Sequence, residues 1–362
     1  MMTARDWLAR LHALAEPAAP LRILNVCGGH ERTIAESGLR SVLPGWIQLL
    51  PGPGCPVCVC PEESLWQAIR IALDHPVTLV AFGDMLRVPV NAPAGEPASL
   101  LAARGRGADI RPVASPLEVL ALACELAPRP VVFFVAGFET TLAPVAAMLT
   151  DDLPDNLYLL LAGRRTWPAV AHLLAAENVG FDALIAPGHV AAVMGADEWR
   201  FVPERHGLPV AVAGFGVESV LAAIHHIVQQ RRVGVAQIDN AYPEVVTLAG
   251  NRRAQALLGE VFAIDAANWR GIGTIPESGY FLSEPHVHRC AATRFPVAPI
   301  ARRRTGEMPA GCDCAAVLLA QKAPAQCRLY GAACTPQHPV GPCMVSDEGA
   351  CRIWWSAGLR NG

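Results

Sequence analysis

Seven short apolar runs, separated by stretches with helical spacing, most constrain what this chain can fold into. They lie at 22–27 (RILNVC), 46–50 (WIQLL), 77–83 (VTLVAFG), 131–136 (VVFFVA), 157–162 (LYLLLA), 182–186 (DALIA) and 209–213 (PVAVA). Such runs have the length and continuity of strands buried on both faces. Strands alternating with helices specify βαβ units and parallel sheets. Helices are predicted over 62–74, 116–126, 142–150, 166–177 and 217–230, the first of them opening after Pro61 with Glu62 and Glu63 in its first turn.

The tetrapeptide Val135-Ala136-Gly137-Phe138 recurs as Val212-Ala213-Gly214-Phe215, each time at a strand end before a helix. The expectation is α/β: two related Rossmann-like parallel-sheet domains over 1–125 and 126–235, joined near Pro128 and Pro130. From 236 to 362 the rhythm gives way to Pro, Gly and Cys, which predicts a smaller irregular iron–sulfur domain. In open parallel sheets, sites form beyond the carboxyl ends of strands. Cys27, the 52–58 loop, Asp84, Glu139 and His189 all follow predicted strands and are expected on one rim.

Hydrophobic residues at 52 % and charged residues at 17 % suit buried layers rather than disorder. A net charge of −3 gives no basis for a nucleic-acid or anionic-membrane partner. Arg302-Arg303-Arg304 reads as a solvated loop. No run of about 18 apolar residues exists to cross a membrane, and the first twenty residues read as a short amphipathic helix rather than a secretory signal. A cytoplasmic location is expected, with the 12 cysteines as reduced thiols.

Four motifs carry chemistry. In Cys27-Gly28-Gly29-His30-Glu31 the glycines permit a tight turn that sets a thiol at a helix N-terminus, where a lowered pKa is expected; the bland alternative is a buried Cys in a Gly-rich turn. In Gly52-Pro53-Gly54-Cys55-Pro56-Val57-Cys58 the thiols can share a metal or close a reversible disulfide, and Cys60 adds a third sulfur. Gly137-Phe138-Glu139-Thr140-Thr141 opens a helix. Glu139 there could orient a thiol or shuttle a proton, or simply be an exposed carboxylate. His286-x-His288-x-Cys290 puts ligand types on alternate positions of an extended segment, though a polar surface strand accounts for it as well.

Six cysteines fall in the last 51 residues. Cys314, Cys327, Cys334 and Cys351 form C-x12-C-x6-C-x16-C, with Cys312 and Cys343 beside them. Long gaps on Pro- and Gly-rich loops fit four thiolates around an iron–sulfur cluster better than the close ligand pairs of zinc sites. Cys314, Cys327, Cys334 and Cys351 are favoured over any set that uses Cys343.

CGGHE, GPGCPVC, GFETT, PGH at 187–189, WRGIGTIPESG at 269–279 and the cysteine pattern, in that order, resemble the HypD family of nickel–iron hydrogenase maturation factors. The resemblance spans about residues 20–355. It implies two α/β domains and a third holding a 4Fe-4S cluster on Cys314, Cys327, Cys334 and Cys351. It also implies a scaffold, working with a HypC-type chaperone and a HypE-type cyanide donor, on which iron acquires one carbon monoxide and two cyanides as a transient Fe(CN)2CO unit. Cys27 would ligate that iron, His30 would support it, and Cys55 and Cys58 would relay electrons from the cluster. Arg32 stands where the CGGHEHT form has a second His.

The resemblance implies a redox-active assembly scaffold rather than an independently turning-over enzyme. The alternatives are a stand-alone cytosolic iron–sulfur thiol/disulfide oxidoreductase and a structural zinc protein. No G-x-G-x-x-G follows a strand, so a nicotinamide or flavin site is not expected.

Overall fold

A computed structural model describes residues 2–176, 179–298 and 307–359. The Arg302-Arg303-Arg304 run and the last position of the predicted 166–177 helix lie outside the described residues.

The chain lays down β1 (Leu21–Asn25) and β2 (Ile47–Pro51). It then crosses to β3 (Thr78–Phe82), β4 (Ile110–Val113), β5 (Val131–Gly137) and β6 (Leu157–Arg164). It returns for β7 (Ala183–Pro187), β8 (Val210–Ala213) and β9 (Ile238–Asn240), and crosses once more for β10 (Phe262–Trp269) and β11 (Gly273–Leu282). The first sheet has the order β2-β1-β7-β8-β9 and the second β10-β11-β6-β5-β3-β4. The first is parallel throughout. In the second, β10 and β11 form an antiparallel hairpin added to β6.

All seven predicted strands form, and so do the five predicted helices, with ends shifted by up to three residues. Every residue of β5 is buried, including the adjacent Phe133 and Phe134 on opposite faces. Helices on both sides remove that sheet from water, which is why its strands read as unbroken apolar runs.

The division of the sheets does not follow the expected boundary at 125/126. That cut falls between β4 and β5 of one sheet, while β1 and β2 pair into the other sheet through Ile23↔Ala183. Sequential reading joins neighbouring runs, whereas here the chain changes sheet three times. Residues 236–282, assigned to the third domain, instead complete both sheets as β9, β10 and β11. The irregular part is the tail, 307–359, built from short helices such as Cys314–Leu318 and Ala350–Ser356 with 3-10 turns between them. His286 and His288 lie in a 3-10 helix, Glu284–Arg289, so their alternate positions do not share the face that an extended segment would give.

Strand order reverses at β1 in one sheet and at β3 in the other, so both sheets have their topological switch where Cys27 and Asp84 follow. Among the described residues no helix is long and apolar enough to cross a membrane.

Candidate metal and thiol centre

A cleft of about 940 Å³ opens between the carboxyl ends of the two sheets. Gly28 and Gly29 line it from one sheet, Asp84 and Thr141 from the other, and Asp347 and Glu348 from the tail. Cys27 is the N-cap of the helix Gly28–Glu36. The N–H groups of Gly29 and His30 face its sulfur without completing a cap hydrogen bond. Cys27 keeps partial exposure, yet surrounding protein pushes the thiol up to about 12, with Glu348 adding in the same direction. The expected lowered pKa is therefore corrected: burial outweighs the helix N-terminus, and metal binding here must displace a proton.

His30 is fully buried. Its Nε2 lies 2.9 Å from the carbonyl of Ala213, an acceptor, which assigns the proton to Nε2 and leaves Nδ1 bare. Burial lowers it to about 4, so the imidazole is neutral. Phe215 packs on its ring at 5.0 Å and on His189 at 4.0 Å. The recurring Gly-Phe thus closes the wall behind Cys27. Glu31 is also buried, where it accepts from Trp354 Nε1 at 2.7 Å and pairs with Arg40 at 3.0 Å.

The CPVC loop is docked against Cys27. Gly52 N donates to Asn25 O at 2.9 Å, and Gly28 N to Gly54 O at 3.3 Å. A Cβ on Gly54 would stand 2.5 Å from Cys27 Cα, so only glycine allows this approach. Cys55 and Cys58 are disulfide-bonded and buried across the short helix Pro56–Val59, whose Pro56 and Val57 reach the cleft. The same helix packs against the tail turn Pro342–Met344. Cys55, Cys58, Cys314, Cys334, Cys343 and Cys351 belong to one apolar cluster.

The tail thiols gather differently from the spacing. Cys314, Cys343 and Cys351 are within hydrogen-bonding reach of one another, and Cys312 touches Cys314. A Cβ on Gly341 would meet Cys312 Sγ at 2.5 Å and Cys314 Sγ at 2.7 Å. Cys334 stands within electrostatic range and accepts from Val340 N at 3.3 Å. Cys351 is lowered to about 6 because Cys314 and Cys343 donate to it. Cys343, set aside by spacing, is thus inside the group, while Cys327 directs its sulfur to Gly311 O at 3.9 Å. The turn at Pro342 decides this, and ligand gaps do not report where a turn points.

Among the described residues no three His, Cys, Asp or Glu side chains already stand in chelating geometry. The fit to a cluster is one of donor chemistry and proximity: buried soft sulfurs converge from separate turns.

Glu139 lies away from the thiols. Fully buried, it accepts from Thr166 N at 2.7 Å and Thr166 Oγ1 at 2.6 Å, which makes it the anchor of the helix Thr166–Leu174. Desolvation raises its pKa. The expected thiol-orienting role has no contact in the described structure, and the exposed-carboxylate alternative is overturned as well.

Sequence reasoning placed Asp84 on the rim but missed the tail contacts that gather there. Asp84 Oδ2 accepts from Ser346 Oγ at 2.9 Å, Arg32 donates to Asp347 O at 2.8 Å, and Glu348 packs on Gly28 beside Cys27. Asp84 and Ser346 are 262 positions apart, so local spacing carries no signal for the contact.

The family described as "HypD: Hydrogenase formation hypA family" matches residues 2–358. The chain is 38 % identical over 367 residues to "Hydrogenase maturation factor HypD" of Azotobacter vinelandii, covering 99 % of this chain and 95 % of that protein. It is likewise 38 % identical over 340 residues to the protein of that name from Escherichia coli K12, covering 93 % and 89 %. "Putative hydrogenase expression/formation protein MJ0993" of Methanocaldococcus jannaschii is 37 % identical over 349 residues, covering 96 % and 94 %. With its two interleaved sheets, docked dithiol loop and gathered tail thiols, the chain belongs to the HypD family.

Proposed function

We propose that this chain is a hydrogenase maturation factor, a scaffold and electron relay on which an iron atom receives two cyanides and one carbon monoxide. A HypC-type chaperone and a HypE-type cyanide donor are its partners in this reading. One observation supports it above the others: the CPVC loop touches the Cys27 backbone on one side and the tail turn carrying Cys343 on the other.

Cys27 offers one soft ligand to the cargo iron from the cleft wall. Neutral His30, held by Ala213 O, keeps a bare Nδ1 in the buried wall behind it. Asp84 and Arg32 hold the tail segment 346–348 over the helix start, and Glu348 stands next to the thiol that must lose its proton. A 4Fe-4S cluster on the tail thiols would supply single electrons. Cys55 and Cys58, on closing to the disulfide, release two electrons and two protons, the kind of reducing step that cyanide delivery from a thiocarboxamide-type carrier requires. Their burial keeps oxidants out until a partner docks.

The test is an infrared spectrum of the anaerobically isolated complex with the HypC-type chaperone. Cyanide and carbonyl stretches are expected with the unaltered chain. Cys27→Ala should lose them while keeping the iron and sulfide of the tail. If the variant still carries the iron–cyanide unit, Cys27 is not its ligand. If the purified chain alone turns over with an electron donor, the oxidoreductase reading replaces the scaffold.

A further inference from the structure

The repeated Val-Ala-Gly-Phe meets two fates in the fold. Phe138, at the end of β5, is buried and stacks on Trp269 with ring centroids 5.8 Å apart. Phe215, at the matching place after β8, is only half-buried and lines the cleft. It also lines a second cavity of about 540 Å³, shared with Trp7 and Tyr242, and so stands as a partition between the two. A ring left there forgoes part of the burial that stabilises its twin.

The position is nonetheless fixed. Gly214 N donates to Ser219 Oγ at 2.7 Å, and Thr33 Oγ1 donates to Phe215 O at 2.7 Å, which pins the backbone on both sides of the ring. His30 and His189 both pack on the ring, at 5.0 and 4.0 Å. Its edge lies against Gly29. A Cβ there would stand 2.5 and 2.6 Å from two ring atoms of Phe215 and 3.6 Å from Cys27 Sγ. Ring edge and sulfur therefore border one small space with no side chain between them. Other parts of the cleft wall are polar, with Arg32, Asp84 and Asp347 among them.

We infer that Phe215 is a specificity-determining residue of the Cys27 site, an aromatic wall that closes one side of the sulfur to water and bulky groups. The inference rests on reading Cys27 as the sulfur that holds the cargo iron. Carbon monoxide and cyanide are slim, linear ligands that fit beside a flat ring. An iron-bound carbonyl is a poor hydrogen-bond acceptor, so an apolar face suits it where a charged side chain would not. Steric access and polarity next to a metal decide which small ligands it keeps. His189, in the Pro-Gly-His turn, backs the ring and holds it in place.

The experiment labels the anaerobically purified chain, produced without partner proteins, with iodoacetamide or with iodoacetanilide, the same reagent carrying one extra phenyl ring. Each forms a sulfur–carbon bond and releases iodide. The peptide carrying Cys27 is weighed over time, and the ratio of the two rates is compared between variants. A change that only makes the thiol more reactive speeds both reagents alike and leaves the ratio unmoved. Phe215→Ala should raise the rate with iodoacetanilide relative to iodoacetamide about tenfold, because the reagent's ring can then enter the place of the lost one. Phe215→Leu should raise it less, and it carries the test if the Ala variant is loosened enough to label the fully buried Cys60. In the complex with the HypC-type chaperone, the carbonyl stretch should shift and broaden in the same variants as water reaches that side. An unchanged ratio in the variant that keeps Cys60 unlabelled overturns the inference, as does a carbonyl stretch that does not move. The ligand reading is tested separately: if Cys27→Ala still carries the iron–cyanide unit, that reading fails whatever the labelling shows.

Discussion

Cys343 and Cys327 compete for one place in the tail. Both are buried, but Cys343 shares contacts with Cys314 and Cys351, whereas Cys327 faces a backbone carbonyl. A cluster needs its thiolates together and deprotonated, and the Cys314–Cys343–Cys351 group already shares protons unequally. Cys343→Ser is therefore expected to lose most of the iron and acid-labile sulfide of the isolated protein, and Cys327→Ser to keep them. The reverse result returns the ligand set to Cys314, Cys327, Cys334 and Cys351. Glu139 carries a second residue-scale expectation. Glu139→Ala leaves Thr166 N and Oγ1 without their buried acceptor, a loss of about 1–3 kcal/mol. It should lower the melting temperature while leaving the reduction potential of the Cys55–Cys58 pair where it was.

At the scale of elements, the loop that brings the dithiol to Cys27 depends on a missing side chain. A methyl group at position 54 meets the backbone of Val26 and Cys27, which cannot yield without shifting β1. Gly54→Ala should cost about 1–3 kcal/mol and reduce iron retained at Cys27. Gly83→Ala, in the same cleft but with open space around it, should change stability by no more than about 0.5 kcal/mol. Equal effects on iron from the two would remove the docking argument. Strands such as Val131–Gly137 were legible because burial on both faces leaves an unbroken apolar run. Ile110–Val113 was not: it is a short strand at the sheet edge, and with Pro112 inside it the pattern breaks. Cys27, Cys55 and Cys58 were legible as chemistry because glycine and proline mark the turns that present them. Glu348 was not, since a Glu acquires its meaning only from a neighbour far away in sequence.

Across the whole molecule, the tail clamps the two sheets, and the clamp passes through buried groups that must keep one protonation state. His30 sits behind Cys27 with its charge disfavoured by burial and further opposed by His189. Its folded-state value of about 4 lies below the ordinary 6.5, so the native state favours the neutral ring. That contribution is complete above pH 6.5 and is lost as pH falls toward 4, because the unfolded chain then binds a proton that the native chain refuses. The size is roughly 3 kcal/mol at full effect. Glu198 and Glu348, whose values are raised by desolvation, act oppositely: native protonation strengthens the fold as pH falls. A single stability profile therefore mixes the two signs, and the difference between chains separates them. His30→Gln should be less stable than the unaltered chain at pH 7.5, and the gap measured by urea unfolding should close steadily between pH 6.5 and 4.5. A gap that stays constant across that window would mean that the folded protein takes up the His30 proton as readily as the unfolded chain does, and the proton-refusing imidazole assigned to the wall behind Cys27 would have to be given up.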